Sequence, residues 1–264
     1  MYKALCAAMV IVAGTFAASA QTAVPPDVVK DLAPTGKLRA AINLGNPILA
    51  QKDATTGEVG GVSVDIAREL GRRLGVTVDL ATYDTAGKAF DAVRTGTVDV
   101  AFLAIDPKRA ADIDFTAPYV IIEGGYVVPA DSPLRAIDDV DRPGIRIAVV
   151  NASAYELHLS RTIRHAELVR ASTGPESTAM FLRDKLDVLA GVKSPLQKFA
   201  KTRTDMRVMD GRFMAIEQAM CVPKGREAGA RYLRAMIEEL KASGFVASGL
   251  ERTGQHDARV APPA

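Results

Sequence analysis

The spacing of apolar residues alternates along this chain between a strand period and a helix period, and the alternation predicts strands separated by helices. Residues 37–42, KLRAAI, read as a strand that runs into turn formers from Asn43 to Asn46. A glycine-bearing loop over 55–61 follows. Val64, Ile66, Ala67, Leu70 and Leu74 then recur at helical spacing, with Gly71 and Gly75 near the end. Residues 76–80 predict a second strand, 88–94 a short helix with Phe90 and Val93 inward, and 98–105 a β-branched apolar strand. Strand, helix and strand at this spacing make βαβ units and a parallel sheet.

The same grammar restarts downstream. Residues 145–150 predict a strand, 153–164 a helix and 166–170 a strand. A helix over 175–186 follows, with Ala179, Phe181, Leu182 and Leu186 on one side, and then a strand over 187–190. Between the two units, Tyr126-Val127-Val128-Pro129 and Ser132-Pro133 read as a connector. A last helix over 227–242 places Ala230, Leu233, Ile237 and Leu240 on one face. The tail, 253–264, mixes polar residues with Pro and Ala and is expected to lack fixed structure.

The chain ends bring in composition. Lys3, the apolar residues 4–18 and Ala18-Ser19-Ala20 have the form of a secretory signal with a cleavage site, which makes Gln21 the first mature residue and the periplasm the expected location. Cys6 follows Lys3 too closely to be a lipid-anchored cysteine. Cys221 is then the sole cysteine of the mature chain, so an intrachain disulfide is excluded and the core must supply the stability. A content of 48% hydrophobic and 24% charged residues is ordinary for that purpose. No later segment reaches the roughly 20 unbroken apolar residues that a bilayer crossing needs. With Lys3 removed, 33 basic residues fall to near balance with 31 acidic ones, which gives no electrostatic case for nucleic acid or an anionic membrane as partner. The absence of Trp argues against a stacking platform.

An ordered set of short motifs carries a family likeness. Gly36-Lys37-Leu38-Arg39 precedes the first strand, Gly61-Val62-Ser63-Val64-Asp65 opens a helix, and Gly96-Thr97-Val98-Asp99 leads into a strand. Arg109, Phe115-Thr116 and Pro118-Tyr119 come next, then Ile137-Asp138-Asp139-Val140, 144–149 (GIRIAV) and Lys185-Leu186-Asp187-Val188. Together they resemble the extracellular solute-binding proteins of polar amino acid ABC transporters, from about residue 33 to about 250. The resemblance implies a two-lobed α/β fold of the type 2 periplasmic-binding class, each lobe a mostly parallel sheet flanked by helices and joined to the other by two crossing segments. Lobe 1 would take 21–122 with 212–264, and lobe 2 would take 123–211. It further implies a monomer that holds a small carboxylate-bearing solute in the cleft and docks on an inner-membrane permease, with no cofactor, metal or catalytic residue.

Candidate chemistry centres on residues 102–120, FLAIDPKRAADIDFTAPYV, where an apolar strand stops at Asp106-Pro107 and Arg109 follows. Ligands of α/β sheets sit beyond the carboxyl ends of strands, and a guanidinium fork takes a carboxylate with two parallel hydrogen bonds. By resemblance Arg109 grips the solute's carboxylate. Ser153, with Glu156 three residues on, stands where the 145–150 strand hands over to a helix, either as an anion-binding helix start or as a plain capping box. Asn151, Ala152 and Ala154 would add backbone groups. Asn43 and Asn46 are candidate polar contacts whose simpler role is turn formation. Tyr119 and Tyr126, near the first crossing, are expected to pack the hinge.

The chain departs from the family in two places. Asp106 stands where relatives carry threonine, with Leu103 and Ala104 where small hydroxyls are common. In the second unit, Gly191, Val192 and Lys193 stand where an acid normally receives the solute's ammonium. Either Asp106 replaces that acid or the solute lacks an amine, in which case Lys193 could greet a second carboxylate. Asp106 can equally serve as the cap of a helix that starts at Pro107. A cyclohexadienyl dehydratase-like enzyme and a binding module serving a sensor or other periplasmic partner are the rival functions. His158, His165 and His256 form no metal-like set, and no serine is framed as a nucleophile elbow.

Overall fold

The computed structural model describes residues 23–264, and the expected signal segment, its cleavage point and Cys6 lie outside the described residues. The first half of the fold begins with α1 (Pro26–Leu32), β1 (Lys37–Asn43) and a hairpin of β2 (Gln51–Lys52) and β3 (Val59–Gly60). It continues with α2 (Val62–Leu74), β4 (Thr77–Tyr83), α3 (Ala86–Arg94), β5 (Val100–Ala104) and α4 (Pro107–Ala110). A 17-residue strand, β6 (Ile113–Pro129), leads into the second half. There follow β7 (Arg146–Val150), α5 (Ala154–Thr162), β8 (Glu167–Ala171), α6 (Gly174–Arg183), β9 (Val188–Val192), α7 (Lys193–Lys201) and β10 (Met206–Val208). The return strand β11 (Met214–Pro223) precedes α8 (Glu227–Ala242), α9 (Phe245–Arg252) and β12 (Arg259–Val260).

The principal sheet runs β4-β1-β5-β11-β6-β9-β7-β8. At one end β4, β1 and β5 are parallel, with Asn43 opposite Tyr83; at the other, β9, β7 and β8 are parallel, with Val150 opposite Ala171. The antiparallel pair β6 and β11 lies between them. Each parallel half has a core on both faces. Leu38, Ile66, Leu70, Leu233 and Ile237 join α2 and α8 to the first half, and Ala89, Val93, Leu103 and Cys221 join α3 to its other face. In the second half, Ile147, Val149 and Leu159 pack on one side, and Phe181, Leu189 and Leu196 on the other. Strands covered on both faces read as the continuous apolar runs seen in the sequence.

Tyr119 and Tyr126 are both buried on β6. Tyr119 meets Phe102 edge-on at 6.1 Å and shares a 2.9 Å hydrogen bond with Ser63, while Tyr126 stacks on Phe213 at 4.4 Å. Cys221 is a free, buried thiol, and burial pushes it up to about 12. No helix among the described residues is long and apolar enough to cross a membrane.

Several expectations are corrected. The stretch from Tyr126 to Pro129 is not a connector but the end of β6, paired with β9 and β10. Pro118 hid the strand from a pattern reading. It is tolerated because it sits opposite Ala219, where the β6–β11 register shifts. The helix expected to 186 ends at Arg183, since Lys185 adopts a left-handed φ of 48° and Leu186 is buried as a separate contact. The tail is ordered by pairing. Arg259 and Val260 add to the edge of β6 opposite Ile121 and Val120, Ala261 donates its N–H to Tyr119 O at 3.0 Å, and Lys241 Nζ donates to Pro262 O at 2.8 Å.

Candidate functional site

β5 ends at Ala104 because Asp106 and Pro107 convert the strand into a one-turn helix. Asp106 takes an extended backbone and its Oδ1 accepts from Lys108 N at 2.9 Å, while Pro107 fills the first helical position. That single turn carries Arg109 back over the strand end. Its Nη1 donates to Ala104 O at 3.0 Å, and only 2% of the residue is exposed. Burial lowers the proton affinity of the guanidinium, with Asp106 pulling the other way.

The opposing wall comes from the second half. β7 ends at Val150, Ala152 adopts a left-handed φ of 56°, and Ser153 caps α5 by accepting from Glu156 N at 3.1 Å. Glu156 reaches back to Ala152 N at 3.2 Å and is neutralised by Arg170 Nε at 2.9 Å. A left-handed alanine costs about 1 kcal/mol. Here it aims the Ala152 carbonyl at Arg109, whose Nη2 donates to it at 2.8 Å. Two carbonyls occupy two of the five guanidinium donors, and among the described residues no carboxylate lies within ion-pair distance of Arg109. A desolvated cation with free donors and no carboxylate in contact can take an anion.

The cavity at Arg109 collects six of the residues singled out in the sequence: Asn43, Asn46, Ala104, Arg109, Ser153 and Ala154. They meet because the parallel strands of both halves point their carboxyl ends at this gap. Both asparagines also make the expected local turns, Asn43 to Gly45 N at 3.0 Å and Asn46 to Ile48 N at 3.3 Å. Gly45 is required by close approach, since a Cβ there would lie 2.4 Å from Asp84 O.

Three expected residues are placed elsewhere. Asp106 does not line the cavity: it is buried, its Oδ1 caps α4, and its Oδ2 lies 2.7 Å from Arg161 Nη2 of α5. Asn151 faces a separate outer cleft beside Gly87 and Lys88. Lys193 starts α7, does not line the cavity, and its Nζ lies 3.2 Å from Glu123 of β6, a carboxylate that Arg212 also reaches at 3.0 Å. The sequence reading missed Asp84, Thr85, Tyr155 and Gln218, all in the cavity wall. Gln218 is the most informative of them. It is 5% exposed, and its side-chain amide makes no hydrogen bond among the described residues. It lies in phase with buried Ile216 and out of phase with exposed Glu217, an alternation that could have marked it.

No cluster of three or more His, Cys, Asp or Glu side chains suited to a metal occurs among the described residues. Two sheet halves that present strand ends to each other across two shared strands define the type 2 periplasmic-binding fold. The chain belongs to the bacterial extracellular solute-binding proteins, family 3, whose model matches residues 38–253. It is 18% identical to the ABC transporter glutamine-binding protein GlnH of Bacillus subtilis (strain 168) over 222 residues, covering 83% of this chain and 81% of that one. A crystal structure of a mutant of ArgBP from T. maritima matches with a TM-score of 0.74 at 21% identity, covering 87% of this chain and 100% of that one. The ancestral amino acid-binding protein AncCDT-1, a precursor of cyclohexadienyl dehydratase, matches with a TM-score of 0.71 at 20% identity, covering 85% and 98%. The relatives found by sequence are binding proteins.

Proposed function

We propose that this chain is the periplasmic substrate-binding component of an ABC importer and captures a small carboxylate-bearing solute, an amino acid or related organic acid, between two lobes. Lobe 1 comprises 21–122 with 212–264 and lobe 2 comprises 123–211, hinged where β6 and β11 cross. The observation that carries the reading is Arg109, buried at the end of β5 with carbonyl partners and no carboxylate. A solute that touches both lobes binds the closed arrangement preferentially and shifts the equilibrium toward it. The closed form would then dock on a membrane permease. The dehydratase reading would need an acid at the cavity; Asp106 does not line it and is paired with Arg161, and the carboxylate that does, Asp84, is half-exposed and paired with Lys88.

Thermal melts of the purified protein with a panel of amino and organic acids test this function. At saturation at least one acid should raise the midpoint by mass action, by about 3 kcal/mol at 100 times its dissociation constant. Its decarboxylated analogue should have no effect. Turnover of an acid in place of reversible binding would overturn the reading.

The Asp106–Arg161 pair joins the two lobes, so it favours closure whichever solute is bound. Arg161 is 44% exposed, which limits the pair to about 1 kcal/mol. Asp106→Asn should therefore weaken binding of every solute by a similar factor, about fivefold. Calorimetric titration with amine-bearing and amine-free acids distinguishes this from a loss confined to amines, which would make Asp106 the ammonium partner.

A further inference from the structure

The cavity at Arg109 is small, about 70 Å³, but it does not end the cleft. Val150, Tyr155, Gly174 and Val192 belong equally to the wall of a second, open-sided chamber of about 510 Å³. The inner chamber is small beside a whole organic acid, and the wall residues it shares with the outer chamber give the remainder of a guest a way into that space. Leu44, Pro47, Pro175, Leu196 and Phe199 line that outer chamber. No lysine, arginine, glutamate or histidine does so among the described residues, and its one charged residue is Asp84, which it shares with the inner chamber. Ser177 also stands in its wall, and its hydroxyl is buried without a hydrogen-bond partner.

Charge in the inner chamber is equally one-sided. Asp84 is the single carboxylate in the walls of either chamber among the described residues, and its Oδ2 is engaged with Lys88 Nζ at 2.8 Å. That carboxylate is half-exposed, 52% of its side chain being accessible, and is shared with Lys88, so an ammonium on the guest finds no buried counter-charge in the walls, and a buried charge without one is strongly disfavoured. The other polar groups in the inner wall, Asn43, Asn46, Gln218, Thr85 and Ser153, are amides and hydroxyls; all but Gln218 already accept a local backbone N–H through their oxygen, which leaves their N–H and O–H donors for a guest. They suit a neutral oxygen substituent, which can both accept and, as a hydroxyl, donate.

From these two observations we infer that the guest is a 2-oxo or 2-hydroxy monocarboxylic acid with an apolar side chain. Its carboxylate lies on Arg109, its oxygen substituent among the amides, and its hydrocarbon in the outer chamber. The inference rests on Arg109 as carboxylate anchor and adds the class of molecule attached. A charged or amide-bearing side chain would lie against Leu196 and Phe199 with only the hydroxyls of Thr173, Ser177 and Thr178 and the Lys88-paired Asp84 in the same wall, whereas an apolar one gains from burial.

Isothermal titration of the purified protein with 4-methyl-2-oxopentanoate, leucine, 2-oxoglutarate, glutamine and arginine tests it. The branched 2-oxo acid should bind about tenfold or more tighter than each of the others, the margin a site imposes on a group it leaves unpaired. Leucine binding as tightly as its 2-oxo analogue, or arginine, glutamine or 2-oxoglutarate binding tightest, overturns the inference. If such a competitor's binding is still abolished by Arg109→Met, the carboxylate anchor survives; if none of the five binds, the anchor falls as well. Val192→Asp supplies the missing acid where the chambers join. Val192 is the N-cap of α7, where aspartate is favoured. That variant should reverse the order of leucine and 4-methyl-2-oxopentanoate, and an unchanged order would count against the inference.

Discussion

Arg109→Met is expected to abolish capture of carboxylate solutes while leaving the unliganded protein close to its original stability. Two charge-assisted hydrogen bonds to a carboxylate are worth about 3 to 5 kcal/mol together, so the affinity should fall by about 100-fold or more. The stability side of the expectation is less intuitive, because Arg109 is among the largest fully buried side chains. Its charge is desolvated with no carboxylate in ion-pair contact, only the more distant Asp106 and Glu156 partly offsetting the cost, and methionine fills much of the same volume without that cost. Against this, Ala104 O and Ala152 O lose their donors. The two effects oppose one another at about 1 to 3 kcal/mol each, and the melting midpoint should move by no more than a few degrees. Calorimetric titration and a melt of the solute-free protein provide both readouts. Retained binding removes Arg109 from the solute, and a collapse of the midpoint makes it a structural residue.

Asp99→Ala should do the opposite, lowering stability sharply while leaving the binding chemistry intact. Asp99 is fully buried where the chain enters β5. Its carboxylate accepts from Arg39 N at 3.0 Å, Arg39 Nε at 3.0 Å, Arg39 Nη2 at 2.8 Å and Arg226 Nη1 at 3.1 Å. One side chain thereby ties β1, the entry to β5 and the start of α8. Removal leaves two partly buried arginines uncompensated and a backbone donor unpaired. Breaking such a pair costs about 3 kcal/mol at the low end of the buried range, since both arginines retain some exposure. For a chain of this size that is a fall of about 10 °C in the midpoint. Asp99 stands at the opposite end of β5 from Ala104 and Arg109, so solute affinity measured well below the midpoint should be unchanged. A fall of less than about 2 °C would show that the network contributes little to stability.

The legibility of the chain followed the burial of its elements. α2 and α8 were readable because an amphipathic helix repeats its apolar residues every three or four positions, and Gly75, with φ 69°, closes α2 where a left-handed residue is needed. The parallel strands were readable because burial on both faces leaves an unbroken apolar run. β6 and β11 were not, since Pro118, Gly124, Gly125, Glu217 and Gln218 interrupt their pattern, and each interruption is tolerated only through a particular cross-strand partner or bulge. β12 was invisible for a related reason. Its two residues have little strand character of their own and are ordered by the exposed edge of β6. The α7 helix was hidden by Pro195, which the first turn of a helix accepts.

The same division holds for the site. Local chemistry determined that β5 stops at Asp106-Pro107, that Arg109 lies just beyond, and that Ser153 caps α5 through Glu156, because caps and turns depend on residues two to four positions apart. Which charges remain free is a property of distant contacts, and the tertiary structure decided it. Arg161 took Asp106, Glu123 took Lys193, and Arg109 was left with carbonyls alone. The sequence by itself determined the α/β alternation and the arginine at a strand end. Folding decided the walls around that arginine, because Gln218 and Val192 reach it from strands, and Asp84 from the turn just beyond β4, whose register only long-range pairing sets.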